Sequence, residues 1–530
     1  MTDRTSAEAH PPLITGLLRP EAYPHAVAGP VCLAETHISW VLLTGDYAYK
    51  IKKPLHLNFL DYSTLERRRS LCEEEVRLNR RHAPDLYLGV SSIGGTLASP
   101  RVDADGAPLE YAVRMRQFDA ADELAALLAA GAVAAGDMAA LGTDIARLHA
   151  VAATAPADGR YGNPDVVHRV TLANFVELRR LPGCSARARR LAVLEARLTD
   201  TLEGHRELML ERLAEGRVRE CHGDLHCSNV VRWRGRLTPF DGIEFDPALR
   251  FIDVANDIGF LTMDLAERGR ADLRQAALQA WCEALGDFAG LPLLPYYECY
   301  RALVRAKVAA LGALQAPAAS ARHDEAIATC VRYLDWAACR IEPRRPALLL
   351  TCGLSGSGKT WLARQIAPRL GALHVRSDVE RKRLAGLAAD QDSRSPPDSG
   401  IYTPQFNVRT YARLEHCAAA ALAGGETVIV DAAFLRRGER ARFLELAARR
   451  DCPVVIVHCH APGDVLRQRV ADRSAARSDA SEAGLDVLAR QPSYWEDFDG
   501  PERAHVLPVD TAIPGVADAV VERLRARFSA

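Results

Sequence analysis

A chain of 530 residues, 25% of them charged and 48% hydrophobic, is too long for one core and has the make-up of a globular protein of two or three domains. A net charge of −1 disfavours a nucleic-acid protein held by bulk electrostatics. Thirteen cysteines, odd in number and without a C-x-x-C pair, fit a reduced cytoplasm better than a disulfide framework, and the polar amino terminus has no signal-peptide core.

Residues up to about 28 are Pro-rich and read as irregular. Residues 31–33, 40–43 and 47–52 then read as three strands, with Thr44, Gly45 and Asp46 as the hairpin turn. The third strand carries Tyr47, Ala48, Tyr49, Lys50, Ile51 and Lys52, so Lys50 and Lys52 share a face. Residues 66–81 follow as a charge-rich helix with Leu71, Cys72, Val76 and Leu78 at roughly helical spacing. Residues 111–118 read as another strand, and 121–213 as mainly helical. The Ala-rich run 124–136 is broken by glycine and too short to span a bilayer, so it reads as a buried or surface helix and no membrane partner is expected.

From His222 the chain reads H-G-D-L-H-C-S-N, which sets Asp224 and Asn229 five positions apart. A hairpin turning at Arg234, Gly235 and Arg236 then leads to Asp241 in F-D-G-I-E-F-D. Phosphoryl transfer needs one carboxylate at the acceptor hydroxyl and oxygen ligands for Mg²⁺. Asp224 suits the first role; Asn229 and Asp241 suit the second. The loop keeps the spacing of the protein-kinase H-R-D motif, with D-G-I-E in place of D-F-G, and the glycine after His222 resembles aminoglycoside phosphotransferases and choline kinases. That resemblance implies Lys50, with Lys52 as the alternative, at the nucleotide phosphates. It also implies Glu75, chosen over its neighbours Glu73 and Glu74, as the partner of that lysine. One departure is that residues 35–39, where such kinases place a glycine-rich cover, contain no glycine. After the metal motif, Asp253 or Asp257 would brace the catalytic loop.

Beyond the linker residues 342–346, A-L-L-L-T-C reads as a buried strand running into G-L-S-G-S-G-K-T, residues 353–360. This is the full P-loop pattern, preceded by a strand and followed by a helix. Gly353, Ser355, Gly356, Ser357 and Gly358 would turn backbone amides toward phosphates; Lys359 would reach the β- and γ-phosphates and Thr360 would offer its hydroxyl to Mg²⁺. A second strand, 373–375, ends at Arg376, Ser377 and Asp378, and a third, 427–430, runs into Asp431, a Walker B carboxylate for the metal. A fourth strand spans 453–457. Arg469, Arg473 and Arg477 then lie four apart on one helix face, as in a lid over the transferring phosphate. His458, Cys459 and His460 read as strand-end packing, because alternation splits the cysteine from both histidines.

These motifs together resemble a bacterial two-domain family in which an aminoglycoside-phosphotransferase-like domain is fused to a P-loop kinase domain similar to gluconate kinases and zeta toxins. The resemblance implies an amino-terminal α+β bilobal kinase-like fold over 1–340 (small lobe about 25–118, large lobe about 119–340). It implies an α/β P-loop NTPase with a parallel sheet over 346–530. It further implies ATP and Mg²⁺ at two sites, a small-molecule hydroxyl as acceptor with Asp224 and Asp378 as the catalytic carboxylates beside Lys359, and a cytoplasmic location. The alternatives are a nucleotide-gated ATPase with one silent domain and a polynucleotide 5′-hydroxyl kinase in the carboxy-terminal domain.

Overall fold

The computed structural model describes residues 10–57, 60–156, 158–180, 185–318, 320–396, 399–476 and 480–529. Packing divides the chain into two compact units: Met1–Val133 with Val151–Gly162 and Gly216–Asp253, and Ala134–Ala150 with Asn163–Glu215 and Val254–Ala530.

The first unit is built on a six-stranded antiparallel sheet in the order Cys32–Glu35, Ser39–Leu43, Tyr47–Lys52, Glu110–Arg116, Tyr87–Thr96, Ser99–Val102. Alternation along Tyr47–Lys52 serves two cores. Tyr49 and Ile51 join Ile14, Leu17, Leu42 and Ile93 on one face. Ala48 joins Cys72, Val76, Leu86, Val113 and Val231 on the other, where Lys50 and Lys52 also point. The helix Leu65–Asn79 closes this second face, and its first turn is capped by Thr64, which accepts from Arg67 N. Elements not expected include the helix Pro12–Leu17, inside the Pro-rich start, the strands Tyr87–Thr96 and Ser99–Val102, and the short pair Val218–Glu220 with Phe251–Asp253. The strand Tyr87–Thr96 runs through poor strand formers that pairing holds extended, Ser91 and Ser92 against Glu110–Arg116 and Gly94 and Gly95 against Ser99–Val102.

The second unit contains a five-stranded parallel sheet in the order Leu373–Arg376, Val428–Asp431, Leu348–Cys352, Val454–His460, Val506–Asp510. Leu349, Ile429, Val457 and Val509 pack with Ile366 and Leu524 of the flanking helices, the two-sided burial expected of parallel strands. The helices Val254–Glu267, Leu294–Gln315 and Ala321–Arg340 share a separate core with Phe175, Leu198 and Tyr333. The expected Ala-rich helix is two helices, Leu124–Ala129 and Ala135–Val151, with the break at Gly131, whose φ is 68°. Among the described residues no helix is long and apolar enough to cross a membrane.

The helix Ala271–Leu285 joins the helical layer of this unit to the sheet. Trp281 donates to His149 Nδ1 at 3.0 Å, and His149 Nε2 lies 3.0 Å from Asp257, one of the two expected braces. Gln275 and Gln279 bond the backbone of the edge strand Leu373–Arg376. The opposite edge, Val506–Asp510, carries Pro508. Beside this helix lies a buried ion cluster. Arg274 bridges Glu298 at 3.0 Å and Glu426 at 2.7 Å, Arg340 meets both carboxylates, and Thr262 donates to Glu298 at 2.8 Å. Burial works to raise the Glu298 carboxyl, but the two guanidiniums outweigh it and hold it at about 2.

Removing one partner of a buried ion network leaves the others uncompensated, so Glu298→Ala should lose about 3–5 kcal/mol in urea unfolding of the second unit. Because the folded carboxyl is depressed, its contribution is complete above the ordinary glutamate range near 4.5 and is lost as pH falls toward about 2. A Glu298→Gln variant should therefore show a shallower stability loss than wild type across that window.

Two candidate phosphoryl-transfer sites

In the first unit Lys50 projects from its strand to Glu75 of the Leu65–Asn79 helix, 2.9 Å away, and to Asp241. Lys52, one strand repeat on, bonds the other oxygen of Glu75 at 2.6 Å and also Glu244, which accepts from Tyr62 as well. Burial works to raise the Glu75 carboxyl; the two lysines overcome it and hold it at about 2. Burial equally works against the Lys50 ammonium, and Asp241 and Glu75 reverse that, raising its pKa. The two lysines that sequence alone left as alternatives are thus distinguished: Lys50 reaches the candidate metal aspartate, whereas Lys52 is fully buried in a salt bridge with Glu244.

The same unit gathers the catalytic loop. Asn229 donates to the Asp224 carboxylate at 3.0 Å and to its carbonyl at 2.9 Å, and His226 Nε2 is 3.5 Å from Asp224. The hairpin Val230–Trp233 with Arg236–Pro239 returns the chain so that Phe240 N donates to Asn229 O at 2.9 Å. Asp241 then adopts φ 61°, rare for a residue with a side chain, and its N–H donates to the Tyr87 hydroxyl at 3.0 Å. Gly242 N is fixed by Asn79 at 2.8 Å. The glycine-free loop over this face closes on itself, with Ser39 N donating to the Thr36 hydroxyl at 3.0 Å. The Ser39 hydroxyl is itself buried and has no hydrogen-bond partner among the described residues.

In the second unit Gly353 to Gly358 bridge the central strand to the helix Lys359–Leu370. Three glycines are required by geometry. Gly356 has φ 80°, and a Cβ there would lie 2.6 Å from Leu466 O. A Cβ on Gly353 would lie 2.2 Å from Cys459 O, and Gly358 has φ 80° with Thr511 pressed against it. The Lys359 ammonium curls back to the carbonyls of Gly353 and Leu354 at 2.9 and 2.8 Å, and burial lowers its pKa. The Ser355 amide donates to Gln491 Oε1 at 2.6 Å, while Ser357 O accepts from Thr511. Asp431, at the end of the neighbouring strand, accepts from Thr351 Oγ1 at 2.9 Å and meets His374 Nε2 at 3.1 Å. Burial favours its neutral form, yet the His374 bond, the Thr360 hydroxyl and Lys359 keep the carboxyl below the usual range. Asp378, in the first turn of Ser377–Leu384, is half-buried, and desolvation raises its pKa despite Arg381.

Ser355, Lys359, Thr360, Asp378, Asp431 and Arg473 line one cavity of about 790 Å³, and Arg376 and Arg381 line it too. Gly356, Gly358, Lys359, Thr360, Arg469 and Arg473 line an adjoining cavity of about 390 Å³. Arg469 is engaged with Thr511, donating to its hydroxyl at 2.9 Å and its carbonyl at 3.0 Å, and Arg473 donates to Ala483 O at 2.6 Å. Arg477 lies outside the described residues. Cys459 is buried, while His458 on the alternate face stacks on Trp495 at 5.1 Å, so this trio packs. Sequence reading missed His374 and Gln491. The first lies four residues before Asp378 with no motif to mark it; the second reaches the phosphate loop across 136 residues.

A model of the AAA domain family matches residues 348–497. Uncharacterized protein Rv2004c of Mycobacterium tuberculosis is 30% identical over 476 residues, covering 90% of this chain and 93% of the relative; Mb2027c of Mycobacterium bovis matches to the same extent. The chain belongs to their family. Among solved structures, a choline/ethanolamine kinase family protein from Mesorhizobium loti is similar at 14% identity, covering 59% of this chain and 92% of that one with a TM-score of 0.33. A gluconokinase from Sinorhizobium meliloti is similar at 23% identity, covering 35% and 93% with a TM-score of 0.26. The amino-terminal part has an antiparallel sheet closed by a helix, and the carboxy-terminal part has a P-loop NTPase fold with a parallel sheet, as its motifs lead one to expect.

The two lysines should separate in stability. Lys52→Met strands Glu244 in the interior and should cost about 3–5 kcal/mol in thermal or urea unfolding. Lys50→Met leaves Glu75 with Lys52 and should stay within about 1–2 kcal/mol of wild type.

Proposed function

We propose that the chain is an ATP- and Mg²⁺-dependent phosphotransferase, located in the cytoplasm, acting on a hydroxyl of a small molecule. Its functional division is 1–340 and 346–530, with a nucleotide site in each part. The observation that carries this reading is the convergence of Lys359, Thr360, Asp378 and Asp431 on one cavity: a phosphate ligand, two oxygen donors and a carboxylate for the acceptor. Thr360 and Asp431 are hard oxygen donors suited to Mg²⁺, as are Asn229 and Asp241 in the first unit. When bound, the ion supplies charge neutralisation for the phosphates. Lys359 exchanges its two carbonyl partners for phosphate oxygens, and Gln491 must leave the Ser355 amide before a γ-phosphate can take it. Asp378, its pKa raised by desolvation, accepts the acceptor proton as the hydroxyl oxygen attacks the γ-phosphorus and ADP leaves. Arg376 and Arg381 beside it favour an acceptor that bears negative charge. In the first unit Lys50, positioned by Glu75, would hold the phosphates, with Asp224 at the acceptor hydroxyl.

A second reading, a silent nucleotide-gated first unit, is favoured by one observation. Lys50 pairs directly with Asp241, two groups that phosphates and metal would separate, beneath a glycine-free loop closed by Thr36.

Full-length protein is to be assayed for ATP consumption against sugar acids, sugars, aminoglycosides and nucleosides. Asp378→Asn should reduce acceptor-stimulated turnover by about 10²–10⁴-fold while keeping nucleotide binding, and Lys359→Ala should lose both. Full activity in both variants sinks the P-loop assignment; an unchanged Asp224→Asn supports the silent first unit.

A further inference from the structure

Asp431 has little freedom of its own. Its Oδ1 accepts from Thr351, its register partner on the neighbouring strand, and its Oδ2 accepts from His374 Nε2, which fixes the imidazole tautomer. His374 is held in turn from outside the sheet. Gln279, on the helix Ala271–Leu285, accepts from His374 N at 2.7 Å and donates to His374 O at 2.9 Å. One turn earlier, Gln275 donates to Ala372 O at 2.8 Å. These two glutamines therefore pair with the edge strand as a further strand would. Their helix is anchored on its other contacts by the Trp281, His149 and Asp257 chain and by Arg274 in the ion cluster. His374 lies inside the residues that match the AAA domain family, 348–497; Gln279 lies well outside them.

We propose that His374 is a positioning residue for the metal-bearing carboxylate Asp431 and that Gln279 sets it from the helical layer, so that the P-loop site of this chain is completed by a helix outside the P-loop domain. The proposal rests on the reading of Asp431 as a metal ligand given above. Its physical basis is that a carboxylate with two oxygens already bonded presents its remaining lone pairs in one fixed direction. Loss of such an outer partner typically costs about 10–100-fold in metal affinity or activity. Gln279 acts one step further out: without it the His374 backbone loses both bonds on the sheet edge, and the imidazole loses its fixed origin.

The test uses the full chain carrying Asp241→Ala, which removes a ligand of the metal site proposed for the first unit. Mn²⁺ binding in the presence of a non-hydrolysable ATP analogue is read by electron paramagnetic resonance, and metal-free binding of the analogue by calorimetry in chelator. In this background one Mn²⁺ site sensitive to Lys359→Ala is expected. Its absence would overturn the P-loop metal reading itself and the proposal with it. His374→Ala should weaken Mn²⁺ binding by about 10-fold or more while leaving metal-free analogue affinity within about twofold. His374→Gln, which can still donate to Asp431, should recover most of the loss, and Gln279→Ala should weaken Mn²⁺ in the same direction by a smaller factor. Unchanged Mn²⁺ affinity in His374→Ala, or equal losses with and without metal, would overturn the proposal while leaving the P-loop reading intact.

Discussion

A carboxylate removed from water keeps its charge only if fixed donors surround it, and this constraint organises the structure at three depths. Glu75 stays ionised between Lys50 and Lys52, Asp431 between His374, Thr351 and Thr360, and Glu298 between Arg274 and Arg340. The first two hold groups that would face a nucleotide; the third ties the helical layer to the sheet. Each arrangement is rigid because the alternative is an unpaired buried charge, and rigid groups can meet phosphate charge without reorganising.

On the function proposed above, the two sites would meet that charge differently. In the first unit side chains from a strand, a helix and a loop do the work, so their placement depends on the antiparallel sheet and on the hairpin that returns Asp241. In the second unit main-chain groups of a glycine loop do it, and side chains serve mainly to hold that loop in shape: Thr511 on Ser357, Gln491 on Ser355, Arg469 on Thr511.

What was legible in the sequence was local. The spacing of His222, Asp224, Asn229 and Asp241 and the run from Gly353 to Thr360 carry their chemistry within a few turns of chain, and the alternation of Tyr47–Lys52 put both lysines on one face. Lys50 could not be separated from Lys52 because the separation depends on Glu244, 192 residues away. The strand through Ser91, Ser92, Gly94 and Gly95 gives no local signal since its extended state comes from its two partner strands rather than from its own propensity. The grouping of the helices 254–340 with the P-loop sheet in one compact unit was likewise invisible, being set by pairs such as Arg274 with Glu426. Arg469, whose four-residue spacing fits a lid, bonds Thr511, which in turn donates to Ser357 O of the phosphate loop.

The glutamines on the Leu373–Arg376 strand have a consequence beyond the site. An open sheet margin is a template on which another polypeptide can polymerise, and here Gln275 and Gln279 occupy one margin's hydrogen-bonding groups. At the far margin Ile456 N bonds His505 O and Thr511 N bonds His460 O, so the even-numbered positions of Val506–Asp510 face outward, and proline at 508 deletes the central donor there. The protein thus guards its sheet against cross-β stacking at both ends, by amide mimicry on one side and by a missing proton on the other.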